Sequence, residues 1–317
     1  MDTDEARGLR RRFAELVGFT APEARLEVLA LRSLSGYTEQ RVRYGGRESE
    51  VPAYLFVPDG CGPFGAVVVF HQHNSEWHLG KSEVAGHAGN PLQAFGPALA
   101  RAGVVVLAPD GAGFEDRRRS GPGTEPREED WLQYFNEMAY RLVRADLLAT
   151  TVLRDAAAAV SGLAAHEAVD PARVGALGHS YGGNVTLLLA ALDERVRFAC
   201  ASGSACTYRH RMATGTGLEF AHVIPGILSV GDLDGLVALI TPRPLLLVSA
   251  TEDRYSAEAP DVERAAAPAW AAQGAPGALE NAHFDGGHPM TPERFDRIVA
   301  WVTGRAASAP GCCSSPS

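Results

Sequence analysis

The sequence contains no apolar run of the roughly 18 residues that a membrane-spanning helix needs. Its first residues, MDTDEARGLRRRF, carry acidic side chains ahead of the arginines and no apolar stretch, so they resemble neither a secretory signal nor a membrane anchor. Basic residues are in deficit as well: 29 Lys and Arg stand against 38 Asp and Glu, whereas phosphate binding requires clustered basic residues. We therefore expect a cytoplasmic protein that binds neither a membrane nor a nucleic acid.

The chain has five cysteines, an odd number that does not fit a framework of paired disulfides. Cys61, Cys200 and Cys206 do not stand at the spacing of a zinc finger. The sequence His71-Gln-His73 leaves a zinc site open as an alternative, because two histidines at that spacing can bind the metal. No HExxH sequence accompanies them. We predict that the protein uses no metal.

The most informative segment of the chain is GHSYG at residues 178–182. It follows an apolar run at 174–177 and precedes an apolar stretch at 184–192 that is typical of a helix. A serine between two glycines at a strand-to-helix junction is the pattern of a nucleophile elbow, in which a tight turn exposes the serine hydroxyl above a sheet. Ser180 is therefore the predicted nucleophile.

Segments typical of strands and helices alternate over most of the chain. We predict amphipathic helices over 5–31, β-strands over 28–43 and 51–57, and a buried strand over 66–70. The remaining predictions are helices at 92–102, 138–165, 184–192, 259–273 and 291–303, and strands at 104–108, 173–177, 198–201, 244–250 and 278–282. This alternation predicts an α/β protein with a mostly parallel central sheet, helices on both faces and an antiparallel edge near the N-terminus.

The predicted strands and helices form one domain over 1–305, in which 1–31 is an N-terminal helical extension. The excursion at 202–243 is too long for a simple connection and carries several polar side chains, so we expect it to form a cap over the site. The last residues, 306–317, are rich in Ser, Pro and Ala and are expected to be disordered.

A serine nucleophile needs a base that removes its proton and a carboxylate that orients the base. In a sheet of this kind these partners follow the serine in the order acid, then histidine. Asp253 follows one predicted strand and His288 follows the next, so both lie where the carboxyl ends of parallel strands meet. We predict a triad of Ser180, Asp253 and His288, with Glu252 and His283 as alternatives for the acid and the base.

Acyl transfer also requires hydrogen-bond donors for the oxyanion that forms on the carbonyl. The backbone amide after the nucleophile, that of Tyr181, is the first expected donor. The second is expected from the loop after the strand at 66–70, from the amide of Gln72 or His73. Nearby, Lys81 and Glu83 are expected to serve in a structural ion pair.

The substrate pocket is expected to combine the oxyanion loop, an aromatic segment and the excursion. Arg209 in particular would bind a substrate carboxylate through two parallel hydrogen bonds. The predicted substrate-binding residues are His71, Trp131, Tyr134, Tyr208, Arg209 and His222.

Five segments carry a family resemblance: FHQHNSEWHLGKSE, APDGAGFEDR, DPARVGALGHSYGG, ITPRPLLLVSATEDRYS and GGHPMTPE. They resemble the α/β-hydrolase superfamily and, within it, the dienelactone hydrolase-like and acetyl xylan esterase-like branch. The resemblance implies an α/β-hydrolase fold and a serine hydrolase of esters or related acyl compounds without a cofactor. It places Ser180, Asp253 and His288 on the family's triad positions. Dienelactone hydrolases proper use a cysteine nucleophile, so their lactone specificity does not carry over to this chain.

We therefore predict a serine hydrolase that cleaves a carboxylic ester or lactone of a small to medium organic molecule. The same triad serves amide and peptide hydrolases and acyl-transfer or cyclising enzymes, and these remain alternatives. From a different class, a binding protein could keep the fold and lose catalysis. The sequence leaves open whether the protein forms a homodimer.

Overall fold

A nine-stranded β-sheet runs through the molecule in the computed structural model, which describes residues 3–307. The strands are β1 (Glu27–Leu34), β2 (Tyr37–Gly45), β3 (Glu50–Pro58), β4 (Phe64–Phe70), β5 (Val105–Pro109), β6 (Val169–His179), β7 (Ala199–Ser202), β8 (Leu245–Ala250) and β9 (Leu279–Phe284). Their order across the sheet is β1-β2-β3-β5-β4-β6-β7-β8-β9.

The sheet has an antiparallel edge and a parallel body. Strands β1, β2, β3 and β5 pair antiparallel in succession. From β5 through β4 to β9 every neighbouring pair is parallel. The predicted mostly parallel sheet with an antiparallel N-terminal edge is confirmed. The parallel strands all end at one edge of the sheet, where the loops after β4, β6, β8 and β9 meet.

Helices cover both faces of the sheet. They are α1 (Thr3–Leu16), α2 (Lys81–Val84), α3 (Phe95–Arg101), α4 (Asp130–Val143), α5 (Leu148–Ala164), α6 (Tyr181–Leu192), α7 (Tyr208–Thr214), α8 (Ile227–Val230), α9 (Leu233–Ala238), α10 (Ala259–Ala272) and α11 (Pro292–Ala306). Side chains alternate across β4: Val68 packs with the core under α5 and α6, whereas Val67 and Val69 pack with the core under α3 and α11. Because both faces of the sheet are covered, β4 and β5 are apolar throughout.

Two helix predictions were wrong in their extent. Of the amphipathic helices predicted over 5–31 the structure has one, α1, which ends at Leu16, and β1 already begins at Glu27. The single helix predicted over 138–165 is two helices, α4 and α5, that meet at an angle of 105°. Between them Ala145 adopts a left-handed conformation with φ 57°. The chain cannot continue as one α-helix through that residue.

The excursion at 202–243 contains the short helices α7, α8 and α9. The segment predicted to be disordered, 306–317, lies outside the described residues except for Ala306 and Ala307. Across the described range 3–307, no single helix has the length and hydropathy to cross a membrane, and one bent helix pair, α4 with α5, meets that test by length and composition.

Candidate active site

Ser180 occupies a sharp turn between β6 and α6. Its backbone has φ 57° and ψ −116°, a conformation that non-glycine residues rarely adopt. The turn also brings backbones close together: a Cβ at Gly182 would lie 2.1 Å from the carbonyl oxygen of Phe70, and a Cβ at Gly178 would lie 2.2 Å from the backbone of Gly182. The amide of Ser180 donates a hydrogen bond to the carbonyl of Ser202 on β7, 2.7 Å away. This is the geometry that the GHSYG pattern predicts.

The structure brings Ser180, Asp253 and His288 together in one hydrogen-bonded chain. Nε2 of His288 lies 2.8 Å from Oγ of Ser180, and Nδ1 of His288 lies 2.9 Å from Oδ1 of Asp253. The two alternatives lie elsewhere. Glu252 is exposed to solvent, and His283 lies within β9 with Nδ1 2.8 Å from Oγ of Ser249.

Asp253 is fixed in a buried position after β8. Besides His288, its carboxylate accepts hydrogen bonds from the amide of Tyr255 at 3.0 Å and from the hydroxyl of Ser256 at 2.7 Å. Burial alone would raise the pKa of Asp253, but the hydrogen bond and charge of His288, with those of its other partners, hold the pKa below its usual value. A charged carboxylate here makes Nδ1 of His288 the protonated nitrogen and leaves Nε2 to accept the proton of Ser180.

Two aromatic rings hold the imidazole of His288 from its sides. The ring of His179 stacks on it with the centroids 5.0 Å apart, and Tyr255 meets it at 4.8 Å with an angle of 60° between the planes. Burial, together with the charge that His288 can carry, lowers the pKa of His179 to about 3. His179 is therefore neutral near pH 7 and packs beside the base without a competing charge.

The end of β4 and the loop after it lie close to the turn at Ser180, since a Cβ at Gly182 would lie 2.1 Å from the carbonyl oxygen of Phe70 and 2.7 Å from that of His71. Tyr181 is the first residue of α6, where a backbone N–H has no partner within the helix. His73 lies on the cavity that contains Ser180. Gln72 is buried beside it and is held by its side chain, which donates to Oε1 of Glu83 at 2.9 Å. His73 therefore lines the cavity, whereas the adjacent Gln72 is buried and does not line it.

The prediction of an ion pair between Lys81 and Glu83 was wrong. Lys81 instead places its ammonium among the carboxylates of Asp110, Glu115 and Asp116, at 2.8 Å from Asp110 and 2.7 Å from Asp116. Residues two apart on a helix do not face each other, so the two side chains have separate partners. Glu83 accepts from Gln72 and from a backbone amide, and burial raises its pKa to about 7.

The three carboxylates around Lys81 could by their spacing hold a metal ion. The ammonium of Lys81 lies among them and supplies the positive charge that an ion would supply. Burial alone would lower the pKa of Lys81, but the charges of Asp110 and Glu115 outweigh it and raise that pKa. Lys81 is the only lysine of the chain. We interpret the cluster as an ionic link that fixes the loop after β4 to the loop after β5.

A cavity of about 250 Å³ opens above Ser180. It is lined by His73, Asn74, Ser75, Ser180, Tyr181, Asn184, Gly203, Arg211, Gly217, Leu218, Glu219, Tyr255 and His288. The excursion supplies one wall of this cavity through Arg211 and residues 217–219. A smaller cavity of about 20 Å³, room for about one water molecule, shares Asn184, Arg211, Leu218 and Glu219 with the first.

None of the six predicted substrate-binding residues lines the cavity above Ser180. His71 is buried, with Nδ1 2.7 Å from the carbonyl of Gln72 and Nε2 accepting from the amide of Gly111 at 3.0 Å. Tyr134 is fully buried in the core, and Trp131 is exposed and stacks on Phe135. These positions correct the prediction, because His71 and Tyr134 are buried and Trp131 packs on Phe135 at the protein surface.

The three substrate-binding residues predicted in the excursion, Tyr208, Arg209 and His222, lie at different places. Tyr208 and His222 line the smaller cavity. Arg209 is 65% exposed and pairs with Asp232 at 3.2 Å, so it does not lie in the site. Arg211, which the sequence reasoning missed, lines both cavities. The signal was its spacing: Arg211 follows Tyr208 by three residues and therefore lies on the same face of α7.

The sequence is similar to known hydrolases. A family model described as the prolyl oligopeptidase family matches residues 135–223, which include the turn at Ser180. The protein named "Putative hydrolase YtaP" from Bacillus subtilis (strain 168) is 29% identical over 233 residues, which make up 71% of this chain and 74% of that protein.

Two solved structures share the architecture at low sequence identity. The glucuronoyl esterase from Solibacter usitatus has a TM-score of 0.70 at 16% sequence identity, and the superposition covers 94% of this chain and 92% of the esterase chain. The acetyl xylan esterase from Paenibacillus sp. R4 has a TM-score of 0.64 at 17% sequence identity, and the superposition covers 96% of this chain and 95% of the esterase chain. At these identities the likeness establishes the fold, and it confirms the architecture expected from the five resembling segments.

Proposed function

We propose that the chain is a serine hydrolase of the α/β-hydrolase superfamily, which cleaves a carboxylic ester of a small to medium organic molecule through an acyl-enzyme on Ser180; the similarity to a putative hydrolase and to esterases of the same fold supports the proposal. One observation carries the proposal. The side chains of Asp253, His288 and Ser180 are joined by hydrogen bonds of 2.9 and 2.8 Å at the floor of an open cavity.

The proposed reaction begins with proton transfer from Ser180 to Nε2 of His288. The serine oxygen attacks the ester carbonyl, and the negative charge that develops on the carbonyl oxygen is stabilised by backbone amides. The amide of Tyr181 is one proposed donor, and an amide of the loop at Gln72 and His73 is the other. His288 then gives its proton to the leaving alcohol, and water releases the acid by the same steps in reverse. Asp253 stabilises the imidazolium in both halves of the reaction.

A fluorophosphonate probe tests the proposal directly. We expect it to label the wild-type protein on Ser180, as located by peptide mass spectrometry, and not to label Ser180→Ala. Hydrolysis of para-nitrophenyl acetate should fall by about 10³-fold or more in Ser180→Ala, because removal of a triad member leaves only binding and the oxyanion donors. His288→Gln should fall similarly, whereas His283→Gln, a change of the same type on β9, should retain activity. Wild-type turnover by Ser180→Ala would overturn the proposal.

A peptide or amide hydrolase is the second candidate, because the prolyl oligopeptidase family model matches the segment that contains the nucleophile. Amides and esters use the same triad and differ in the leaving group. Fluorogenic peptide amides, with and without proline before the cleaved bond, separate the two. If kcat/KM for a peptide amide equals or exceeds that for aryl and alkyl esters of similar size, the peptidase is the correct assignment.

A further inference from the structure

The cavity above Ser180 contains a buried guanidinium group that the proposed reaction does not use. Arg211 lies on α7 and is 6% exposed, yet it lines the same cavity as Ser180 and His288. Its positive charge therefore lies inside the space that a substrate would occupy. Burying a charge is costly unless an opposite charge or several hydrogen bonds compensate it.

Arg211 has no carboxylate partner among residues 3–307. Its Nε donates to the carbonyl of Cys206 at 3.4 Å, and its Nη1 donates to the carbonyl of Gly217 at 2.7 Å. The guanidinium also lies 5.8 Å from the ring centre of Tyr255. Within the described chain its Nη2 donates no hydrogen bond. Neutral carbonyls fix the position of this group but do not neutralise it.

Other arginines that are buried or half-buried in this protein have different surroundings. Arg118 and Arg141, whose side chains are equally buried, each pair with a carboxylate. The buried Arg294 and the half-buried Arg243 are held by backbone carbonyls, as Arg211 is, but neither lines the cavity of Ser180. The combination of a fixed, uncompensated guanidinium and an open cavity thus distinguishes Arg211.

Glu219 is the carboxylate that lines the same cavity, and it is already engaged by its neighbours. Its Oε2 lies 3.2 Å from Nδ1 of His73, and its Oε1 accepts from the amide of Phe220 at 3.1 Å. It makes no ion pair with Arg211. The carboxylate of this cavity therefore does not neutralise Arg211, and an anionic ligand bound in the cavity would do so.

We propose that Arg211 is a specificity residue that binds a carboxylate of the substrate. The guanidinium fork matches the two oxygens of a carboxylate, and the buried side chain of Arg211 is fixed at the wall of the cavity that contains Ser180. The substrate class is then an ester that carries a free carboxylate, such as a half-ester of a dicarboxylic acid. This inference rests on the proposed function, since it assigns the substrate of the same Ser180 site.

Matched pairs of esters test the inference. Mono-para-nitrophenyl glutarate and para-nitrophenyl pentanoate differ by a carboxylate on the acyl side, and meta-acetoxybenzoate and phenyl acetate differ by a carboxylate on the leaving group. We expect the wild-type protein to prefer the anionic member of one pair by about tenfold or more in kcat/KM. Arg211→Gln should lower kcat/KM for that anionic ester by about 30-fold or more, mainly through KM, and for its neutral partner by less than about threefold.

Arg209→Gln is the matched control. It removes the same charge from the same helix two residues away, but at an exposed position outside the cavity, and we expect both members of each pair to react as with the wild type. If Arg211→Gln lowers activity on neutral and anionic esters equally, or if the wild-type protein has no preference in either pair, the inference is wrong while the serine hydrolase assignment stands. Absence of both ester hydrolysis and fluorophosphonate labelling would instead remove the proposed function.

A measurement on the unaltered protein covers the case in which Arg211→Gln does not fold. Free glutarate should inhibit hydrolysis of the neutral ester competitively, and glutaramide, which has the same length and no charge, should inhibit at least tenfold more weakly. Equal inhibition by the two compounds, or inhibition by neither, would contradict an anion subsite.

Discussion

The imidazole rings of His179 and His288 stack with their centroids 5.0 Å apart and 28° between their planes. His179 is fixed from below by a contact of 3.0 Å between its Nδ1 and Oγ of Ser202. His179, which directly precedes Ser180, thus packs against one face of the imidazole of His288, the proposed base. The space beside both rings is taken by Gly203, which has a left-handed backbone with φ 59°.

Gly203→Ala is expected to displace the imidazole of His288. A Cβ at this position would lie 2.6 Å from Cε1 of His179 and 3.0 Å from Cε1 of His288. A shift of about 1 Å in a catalytic group can reduce turnover by about 100-fold. We expect kcat for para-nitrophenyl acetate to fall by roughly that factor while the far-UV circular dichroism spectrum is unchanged. A folded variant with wild-type kcat would show that the packing beside the rings does not position the base.

Asp253→Asn is expected to lower kcat by about 10⁴-fold. An amide at this position no longer favours the tautomer in which Nε2 of His288 is free to accept a proton. Steady-state kinetics on an aryl ester measures the effect. Glu252→Gln removes one negative charge from the neighbouring exposed residue and serves as the control, with an expected change of less than about threefold. Similar losses in the two variants would mean that general electrostatics, rather than the hydrogen bond to His288, is responsible.

Lys81 is expected to resist acylation in the native protein. Its side chain is 6% exposed and its ammonium lies among three carboxylates, whose charges raise its pKa. Because Lys81 is the only lysine, an amine-acylating reagent should leave this side chain unmodified in buffer and modify it in concentrated urea. Peptide mass spectrometry over a time course measures the acylation of Lys81 under both conditions. Rapid acylation of Lys81 without denaturant would show that the cluster is open to solvent.

Glu83 is expected to make the protein less stable as the pH rises from about 4.5 to about 7. Burial raises the pKa of Glu83 to about 7 in the folded chain, against an ordinary value of 4.5. Between these values the folded state binds more protons than the unfolded state, so the free energy of unfolding falls as pH rises and levels off above about 7. The shift corresponds to about 3 kcal/mol.

The Glu83→Gln variant isolates this contribution. Its amide keeps an acceptor for Gln72 and has no titrating group. Urea unfolding of both proteins at several pH values should give a difference in unfolding free energy that changes by about 3 kcal/mol across the window, in favour of the variant at high pH. A difference that does not vary with pH would mean that Glu83 titrates normally in the folded protein.

The backbone frame of the site could be predicted from the sequence, because it depends on order along the chain. Ser180, Asp253 and His288 each follow a strand of the parallel sheet, and parallel strands end at one edge. Their convergence therefore follows from topology alone. The glycines around Ser180 add a local requirement that is visible in sequence, since a side chain at Gly182 has no room.

The substrate-facing side chains could not be predicted in the same way. Arg209 and Arg211 are two residues apart on α7, and a rotation of about 200° separates them. One faces solvent and the other faces the cavity. Which of the two faces inward depends on how the excursion packs on the rest of the fold, and no local pattern in the sequence records that packing except the spacing from Tyr208.

The central claim is that Ser180 carries the acyl group during turnover, and rapid acid quenching followed by mass spectrometry tests it most directly. During hydrolysis of para-nitrophenyl acetate the intact protein should gain the mass of one acetyl group, and peptide fragmentation should place it on Ser180. The adduct should disappear when the ester is exhausted. Continued turnover in Ser180→Ala at the wild-type rate, or an acetyl group found only on another residue, would contradict the account.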